Sequence, residues 1–287
     1  MRLTMHKSLF KILFPLFFMV TLIASCELFQ KPRTARGYMM TRPQRMILEK
    51  KLNEISGLYY LQNEDALIAI ADDKKKVFRI TTDGKASDYY DPDLASADYE
   101  DLVKVNNTVY VLVNTGTIVA ITKTDTGLAT INYPFWSQKG NDFETIYYDS
   151  SAQGLIILCK SCAADKGNHE RRSYKFNLST RTFDTSAFYT ISSRAVRDQL
   201  KDGETEFKPS GAAIHPLQKR LYVLASAGNM MIITDLRGKV QEVFRLNPAL
   251  YPQAEGITFA ANGDMYISNE AKLGKPTLLK IVYKSGK

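Results

Sequence analysis

The chain has 287 residues, of which 45% are hydrophobic, and its formal net charge is +8. Most of that charge belongs to the start of the chain. Residues 1–25 carry three positive charges and no acid, residues 26–45 carry a net +4, and +1 remains for residues 46–287. The main body therefore offers no basic face to a nucleic acid, and we expect no nucleic-acid partner.

Residues 1–25 are typical of a secretory signal peptide. Basic residues come first, an apolar run from Ile12 to Ile23 follows without an acid, and the segment ends in small residues. The sequence Leu22-Ile23-Ala24-Ser25-Cys26 resembles the lipobox of bacterial lipoproteins, in which the cysteine is acylated with chains such as palmitate and becomes the new N-terminus. The alternative is an uncleaved anchor in which the cysteine is incidental.

The lipoprotein resemblance implies a location in the cell envelope, with membrane lipid as a partner through Cys26. In many sorting systems an Asp after the cysteine retains a lipoprotein in the inner membrane. Glu27 stands there, so we expect the outer membrane. Residues 26–45 contain Pro32, Gly37 and Pro43, which predict a flexible, lipidated tether. We expect a monomer.

Residues 46–287 contain one short phrase five times. Each copy has Ser or Glu at its centre, then small or polar residues and an apolar residue. Successive centres are 44, 44, 66 and 45 positions apart. A period in the low forties, with strand-like sequence inside each unit, is typical of β-propeller blades. The centres are Ser56, Glu100, Glu144, Ser210 and Glu255.

The first four units each hold four short segments rich in Val, Ile, Tyr and Leu, which predict four strands per blade. The fifth unit has only three, at 256–259, 265–268 and 277–282. Because an open ring would leave an exposed strand edge, we expect residues 45–52 to supply the missing outer strand. The sequence thus predicts an all-β, five-bladed β-propeller that an N-terminal strand closes in the last blade.

The long third step has two interpretations. A sixth, divergent blade is one, but the excess of about 22 residues is too short for a blade of about 40. We therefore predict an insertion, with a short surface helix within 192–206 because Ala195, Val196 and Leu200 are near helical spacing. The outer strand of the third blade is expected at 182–189.

The order of the phrases resembles the SdiA-regulated family of bacterial proteins. Ser-Gly-Leu, Glu-Asp-Leu, Phe-Glu-Thr-Ile, Ser-Gly-Ala and Ala-Glu-Gly-Ile carry the resemblance, together with Asp72-Asp73 and the stretch Asn262 to Ser268. It covers roughly residues 47–285. The resemblance implies a five-bladed propeller, distantly related to NHL-repeat proteins, that holds a calcium ion. It leaves the biochemical role open.

The residues argue for a cation independently. The first strand of each propeller blade lines the central channel, so Glu100, Glu144 and Glu255 should stand in one ring. Carboxylates about 5 Å apart repel by roughly 3 kcal/mol per pair at an effective dielectric near 20. Ca²⁺ accepts six to eight oxygen ligands in flexible geometry, so we predict calcium as the cofactor, bound by these three glutamates.

Five further residues are expected to support that site or to complete its ligands: Ser56, Ser210, Asp98, Asp101 and Asp142. Two alternatives to a metal remain at this point. Protonation could relieve the repulsion by raising one or more pKa values. Each glutamate could instead accept backbone N–H groups of the next blade and serve only as a structural staple.

Cys159-Lys160-Ser161-Cys162 is a single C-x-x-C pair with no second pair, which argues against zinc. Because an exported protein meets an oxidising compartment, we expect a disulfide between Cys159 and Cys162. A redox role is the alternative, but the thioredoxin-like βαβ context that it needs is missing from the sequence.

Two classes of function follow. The first is a lipid-anchored binding or scaffold module with an unidentified protein or small-molecule partner. The second is a calcium-dependent hydrolase, similar to propeller lactonases, in which Asn114 and Asn269 would join the three glutamates. No convincing catalytic base and no G-x-S-x-G elbow are present, so we favour the binding module.

Overall fold

The computed structural model describes residues 34–92, 94–137, 139–200, 206–272 and 274–285. The predicted signal peptide, Cys26 and the first part of the predicted tether lie outside the described residues. Within the described ranges, no helix is both long and apolar enough to cross a membrane.

The described residues form five antiparallel sheets, one per blade, in the order predicted from the phrases. In the first two blades the strands follow the chain from the innermost to the outermost position. The first blade contains β2 (Ile55–Leu61), β3 (Ala66–Ala71), β4 (Val77–Thr81) and β5 (Ala86–Tyr90). The second contains β6 (Tyr99–Val105), β7 (Thr108–Val113), β8 (Ile118–Thr124) and β9 (Gly127–Tyr133).

The third blade is the largest, and an α-helix follows it. It contains β10 (Phe143–Asp149), β11 (Gly154–Cys159), β12 (Glu170–Asn177), β13 (Thr182–Phe183) and β14 (Tyr189–Ser192). The helix α1 (Ser193–Leu200) confirms the predicted helix as far as residue 200. Residues 201–205 are outside the description, and the described residues contain no sixth blade.

The fourth and fifth blades complete the ring. The fourth contains β15 (Gly211–Ile214), β16 (Leu221–Ala225), β17 (Met230–Thr234) and β18 (Val240–Arg245). The fifth contains β19 (Ala254–Phe259), β20 (Met265–Asn269), β21 (Thr277–Ile281) and β1 (Gln44–Ile47). Among the described residues, three short 3₁₀ turns lie outside the sheets, at Lys50–Leu52, Ala163–Asp165 and Ser226–Gly228.

Burial explains why the inner strands read as continuous apolar runs. All six residues of β3 are buried, and so are all six of β11, because neighbouring blades cover both faces of each sheet. The outer strand β9 is mostly exposed and carries polar residues. The core therefore lies between the blades, in layers that surround the channel.

The predicted closure is confirmed. Strand β1 pairs antiparallel with β21, from Gln44 opposite Lys280 to Ile47 opposite Thr277. The strand is shorter than the predicted segment 45–52, because residues 50–52 form a 3₁₀ turn that carries the chain toward β2.

The folded unit begins earlier than predicted. Residues 34–45 were expected to belong to a flexible tether, but Ala35, Tyr38 and Met40 are buried in the core between the fourth and fifth blades. The Tyr38 hydroxyl donates to the Gly263 carbonyl at 2.6 Å. Aromatic packing at Tyr38 thus outweighs the turn-forming residues that suggested flexibility, and the compact unit starts at Thr34.

The single strand predicted at 182–189 is wrong, because the chain there forms two short strands. Both β13 and β14 pair with β12, at opposite ends of it. The strand β12 is eight residues long and so has room for two partners. The Ser173 side chain on β12 helps to anchor the start of β14, since its hydroxyl donates to the Tyr189 carbonyl at 2.9 Å.

A β-bulge explains the recurring phrase. In four blades the register of the first two strands shifts at the phrase centre, between Ile55 and Leu58 in the first blade and at equivalent places in β6, β10 and β19. The remaining centre, Ser210 of the fourth blade, directly precedes β15. A bulge leaves one residue out of the pairing and re-aims its side chain, which here frees each centre for the channel.

Glycine follows three of the centres because adjacent blades nearly touch at the axis. A Cβ on Gly57 would lie 2.5 Å from the Asp101 Cα, and one on Gly256 would lie 2.7 Å from the Ser56 carbonyl oxygen. A Cβ on Gly211 would overlap the Glu255 carbonyl oxygen. These are contacts between blades, so the glycines set how closely the ring can close.

Replacing Gly211 with alanine should therefore destabilise the ring. The new methyl group meets backbone rather than a movable side chain, and we expect Gly211→Ala to lower the free energy of unfolding by about 1–3 kcal/mol. Urea unfolding followed by far-UV circular dichroism measures this. Gly274→Ala is the matched control, because a Cβ there meets nothing within 4 Å. Equal midpoints for the two variants would contradict the tight contact.

Candidate metal centre

The phrase centres of all five blades line one cavity of about 210 Å³. The channel has a different character further along the same strands, where a second cavity of about 190 Å³ is lined mainly by apolar residues such as Leu58, Ile146 and Phe259. The first cavity, called the acidic cavity below, is lined by Glu54, Ser56, Asp72, Glu100, Glu144, Lys160, Ser210, Gln253, Glu255 and Glu270.

The three predicted ligands thus share one cavity, together with the two predicted serines. Glu144 and Glu255 are each 8% exposed, and Glu100 is partly exposed. The Ser210 hydroxyl donates to the Ala254 carbonyl at 2.8 Å, and that of Ser56 donates to the Glu54 carbonyl at 3.2 Å. The binding of a metal by these residues stays a prediction.

The three aspartates predicted to support the site do not line the acidic cavity. Asp98 is exposed and accepts a hydrogen bond from the Asn114 side chain at 2.9 Å. The Asp142 carbonyl accepts the backbone N–H groups of Lys160 and Ser161. Both aspartates still act on Glu100 through charge, since each raises its pKa.

Asp101 has a different role from the predicted one. Its buried carboxylate accepts N–H groups from Leu102 at 2.8 Å and from Ile146 at 2.9 Å, and also from the Leu58 backbone. These donors belong to the first, second and third blades. Burial raises the pKa of Asp101, and the three N–H donors oppose that rise. The staple considered for the glutamates is therefore formed by Asp101.

The sequence interpretation missed half of the acidic cavity. Asp72, Lys160 and Glu270 each follow the second strand of a blade, and that turn faces the phrase. Lys160 lies sixteen positions after Glu144 and forms an ion pair with its carboxylate. Ser226 lies sixteen positions after Ser210 in the fourth blade, and its N–H donates to the Ser210 hydroxyl at 3.2 Å. That recurring offset is the signal that could have identified them. The other residues missed are Glu54 and Gln253.

Six carboxylates face one ammonium group in this cavity. Burial, together with the charges of Asp72 and others, raises the pKa of Glu100 to about 8. Burial and the charge of Glu255 likewise raise the pKa of Glu270 to about 8. The pKa values of Asp72 and Glu255 are raised as well, mainly by burial. Lys160 opposes the rise at all four carboxyls, but one charge leaves most of the repulsion in place.

The donor set suits a hard cation. Every polar side chain of the acidic cavity except Lys160 offers a carboxylate, hydroxyl or amide oxygen, which are the ligands that Ca²⁺ prefers. The carboxylates stand around the cavity rather than at one point. In the part of the chain that the structure describes, the only three metal-binding groups within 4.8 Å of one another are Cys159, Cys162 and Asp165.

That second cluster is not a free metal site, because Cys159 and Cys162 form a disulfide. The disulfide closes a short loop that consists of Lys160 and Ser161 between the two cysteines. Both of these residues donate backbone N–H groups to the Asp142 carbonyl, at 2.8 and 3.2 Å. The loop thus fixes the backbone from which the ammonium group of Lys160 reaches Glu144.

The comparison with protein families agrees with this architecture. The family model described as SdiA-regulated matches residues 33–273. The chain belongs to the SdiA-regulated family. The matched region begins one residue before Thr34, where the compact unit starts. Among curated proteins, none matches the chain significantly.

Solved structures resemble this SdiA-regulated protein in fold alone. Glutaminyl cyclase from Myxococcus xanthus has a TM-score of 0.57 at 11% identity, covering 85% of this chain and 96% of its own. A putative gluconolactonase has a TM-score of 0.53 at 14% identity, covering 90% and 100%. The soluble aldose sugar dehydrogenase from Escherichia coli has a TM-score of 0.52 at 9% identity, covering 85% and 100%.

The raised pKa values predict how stability depends on pH. Glu100 and Glu270 bind a proton more tightly in the folded protein, at a pKa of about 8, than at their ordinary value of 4.5. Their contribution is complete below the unfolded pKa and is lost as pH rises through the folded pKa. In chelator, the melting temperature should therefore fall between pH 5 and pH 8.

The double variant Glu100→Gln/Glu270→Gln should flatten that fall, because an amide does not titrate. Asp125→Asn, an exposed change away from the cavity, should leave it unaltered. Differential scanning calorimetry across the pH range measures all three proteins. A melting temperature that rises toward pH 8, or the same slope in the double variant, would show that these carboxyls are not crowded in solution.

Proposed function

We propose that this protein is a lipid-anchored binding module of the cell envelope, whose acidic cavity binds a calcium ion. One observation carries the proposal: among the described residues, six carboxylates from four blades line a single cavity of about 210 Å³, with one ammonium group among them. Neutralising them by protons alone becomes costly near neutral pH, whereas a divalent cation relieves several repulsions at once.

Glu100, Glu144 and Glu255 would hold the ion, with Ser56 and Ser210 as neutral oxygen donors between them. When bound, calcium would neutralise negative charge and add a cross-link between blades to the apolar packing and the Asp101 hydrogen bonds that already join them. Lys160 already provides part of this charge neutralisation through its ion pair with Glu144. It therefore competes with the ion and weakens its binding.

Calcium binding should depend on the cavity carboxylates and increase when Lys160 is neutralised. Isothermal titration calorimetry of the purified protein with Ca²⁺ gives the affinity, and Lys160→Met should tighten it by about tenfold, since one like charge is removed. Glu100→Gln and Glu255→Gln should each weaken it by about tenfold or more. At a hundredfold excess over Kd, calcium should stabilise the protein by about 2.7 kcal/mol.

Asp125→Asn is the matched control, since it removes an exposed carboxylate that does not line the acidic cavity. No heat and no change in melting temperature at millimolar calcium would overturn the proposed ion. A destabilised Lys160→Met protein that still ignores calcium would show that Lys160 alone balances the ring.

The alternative is a calcium-dependent hydrolase of the lactonase or esterase type. Neither Asn114 nor Asn269 lines the acidic cavity, and the Asn269 amide donates to the Thr277 hydroxyl at 3.0 Å. This arrangement favours binding over catalysis. Lactones and phosphate esters, screened with and without calcium, provide the discriminating assay. Turnover that Glu144→Gln abolishes would replace the binding module with the hydrolase.

The lipid anchor is a separate part of the proposal. Cys26 precedes the folded unit at Thr34 by a short stretch of chain, which would hold the propeller near the bilayer of the outer membrane. Cys26→Ser should abolish incorporation of an alkyne-labelled palmitate in cells and move the protein from the detergent phase to the aqueous phase. Cys162→Ser, which removes a cysteine of the disulfide, should retain the label. Labelling that survives Cys26→Ser would refute the lipidation site.

A further inference from the structure

A second polar cavity, of about 220 Å³, lies beside the helix α1 at the edge of the third blade. It shares no residue with the acidic cavity. Its character is the opposite, because three basic side chains line it: Lys166, Arg171 and Arg197. Two acids, Asp165 and Glu206, also line the cavity. Asp165 is buried and already accepts a hydrogen bond from the backbone N–H of Arg172 at 3.2 Å.

Arg171 is the central residue of this basic cavity. It projects from β12, and its side chain is 11% exposed. One terminal nitrogen donates to the Glu170 carbonyl at 2.9 Å, and the other is 3.5 Å from the Glu206 carboxylate. The Nε–H group is buried and has no hydrogen-bond partner among the residues that the structure describes. A buried guanidinium with an unused donor is costly unless a ligand accepts from it.

Ser193 presents a second unused group to the same cavity. It is the first residue of α1 and is 3% exposed, and within the described ranges its hydroxyl has no hydrogen-bond partner. The positive end of the helix dipole adds to the attraction for an anion at this point. Two independent orphaned donors, on a strand and on a helix, therefore line one basic cavity.

We propose that this basic cavity binds a small oxyanion of the phosphate type. Arg171 would supply its fork of N–H donors, Ser193 its hydroxyl, and Arg197 and Lys166 further positive charge. Glu206 is 61% exposed and reaches Arg171 only at 3.5 Å, while it pairs with Lys208 at 3.0 Å. Its carboxylate is a weak stand-in for the ligand, which displaces it from Arg171.

Nuclear magnetic resonance of the ¹⁵N-labelled protein tests this directly, because arginine Nε–H groups give their own signals. Inorganic phosphate, added at constant ionic strength, should shift the Arg171 Nε–H signal in a saturable way. Arg171→Lys keeps the charge but removes the fork, and Ser193→Ala removes the hydroxyl. Each should weaken phosphate binding by about tenfold.

Glu206→Gln should strengthen phosphate binding several-fold, because it removes the competing carboxylate from an exposed position where folding is not at risk. Arg194→Lys is the matched control, since this exposed arginine belongs to the same helix but does not line the cavity. It should change nothing.

Three outcomes would overturn the proposal. The first is the absence of any shift of the Arg171 signal at about 20 mM phosphate, a concentration that would populate a site with a millimolar Kd. The second is binding that persists unchanged in Arg171→Lys and Ser193→Ala. The third is saturation by acetate at lower concentration than by phosphate, which would assign the cavity to carboxylates instead.

Discussion

Repulsion among carboxylates at the axis is the constraint on which the site depends. Closing five blades into a ring brings the phrase centres together, and three of these centres are glutamates. Glu54, Asp72 and Glu270 add further negative charge. The protein can relieve the repulsion with protons, with its own ammonium group or with a bound cation. Burial and neighbouring acids raise the pKa values of Glu100 and Glu270, which favours the first, and the ion pair of Lys160 with Glu144 supplies the second.

Fold and site share one structural cause. The bulge that frees Glu100, Glu144 and Glu255 from strand pairing also bends each inner strand where the blades meet. Glycine follows Ser56, Ser210 and Glu255, because a Cβ there would meet the neighbouring blade. The residue after Glu100 is the hydrogen-bonded Asp101, and the residue after Glu144 is the buried Thr145. Asp101 ties three blades through their N–H groups at this same level. A residue that shapes the ring and one that faces the channel are thus neighbours in sequence.

Sequence periodicity predicted the blade number, the closing strand and the convergence of the phrase centres, since each depends on a pattern that repeats. Periodicity failed where the position of a segment or side chain depends on one particular contact. Tyr38 draws residues 34–45 into the core through one buried hydroxyl and its aromatic neighbours, which no repeat signals. Lys160 was missed because a lysine among acids breaks the pattern of like residues, although its offset from Glu144 matches that of Ser226 from Ser210. The split outer strand of the third blade likewise follows from the unusual length of β12.

The position of Lys160 gives the C-x-x-C pair a structural meaning. Its two cysteines flank the lysine in sequence. Their disulfide and the hydrogen bonds from the loop backbone to the Asp142 carbonyl together fix the short loop between them. A lysine on an unconstrained loop could turn to solvent and leave the carboxylates unbalanced. Held here, its ammonium group faces six carboxylates, so the cavity retains an excess of acidic groups that suits a divalent cation. The disulfide therefore acts on the electrostatics of the acidic cavity without contributing a ligand to it.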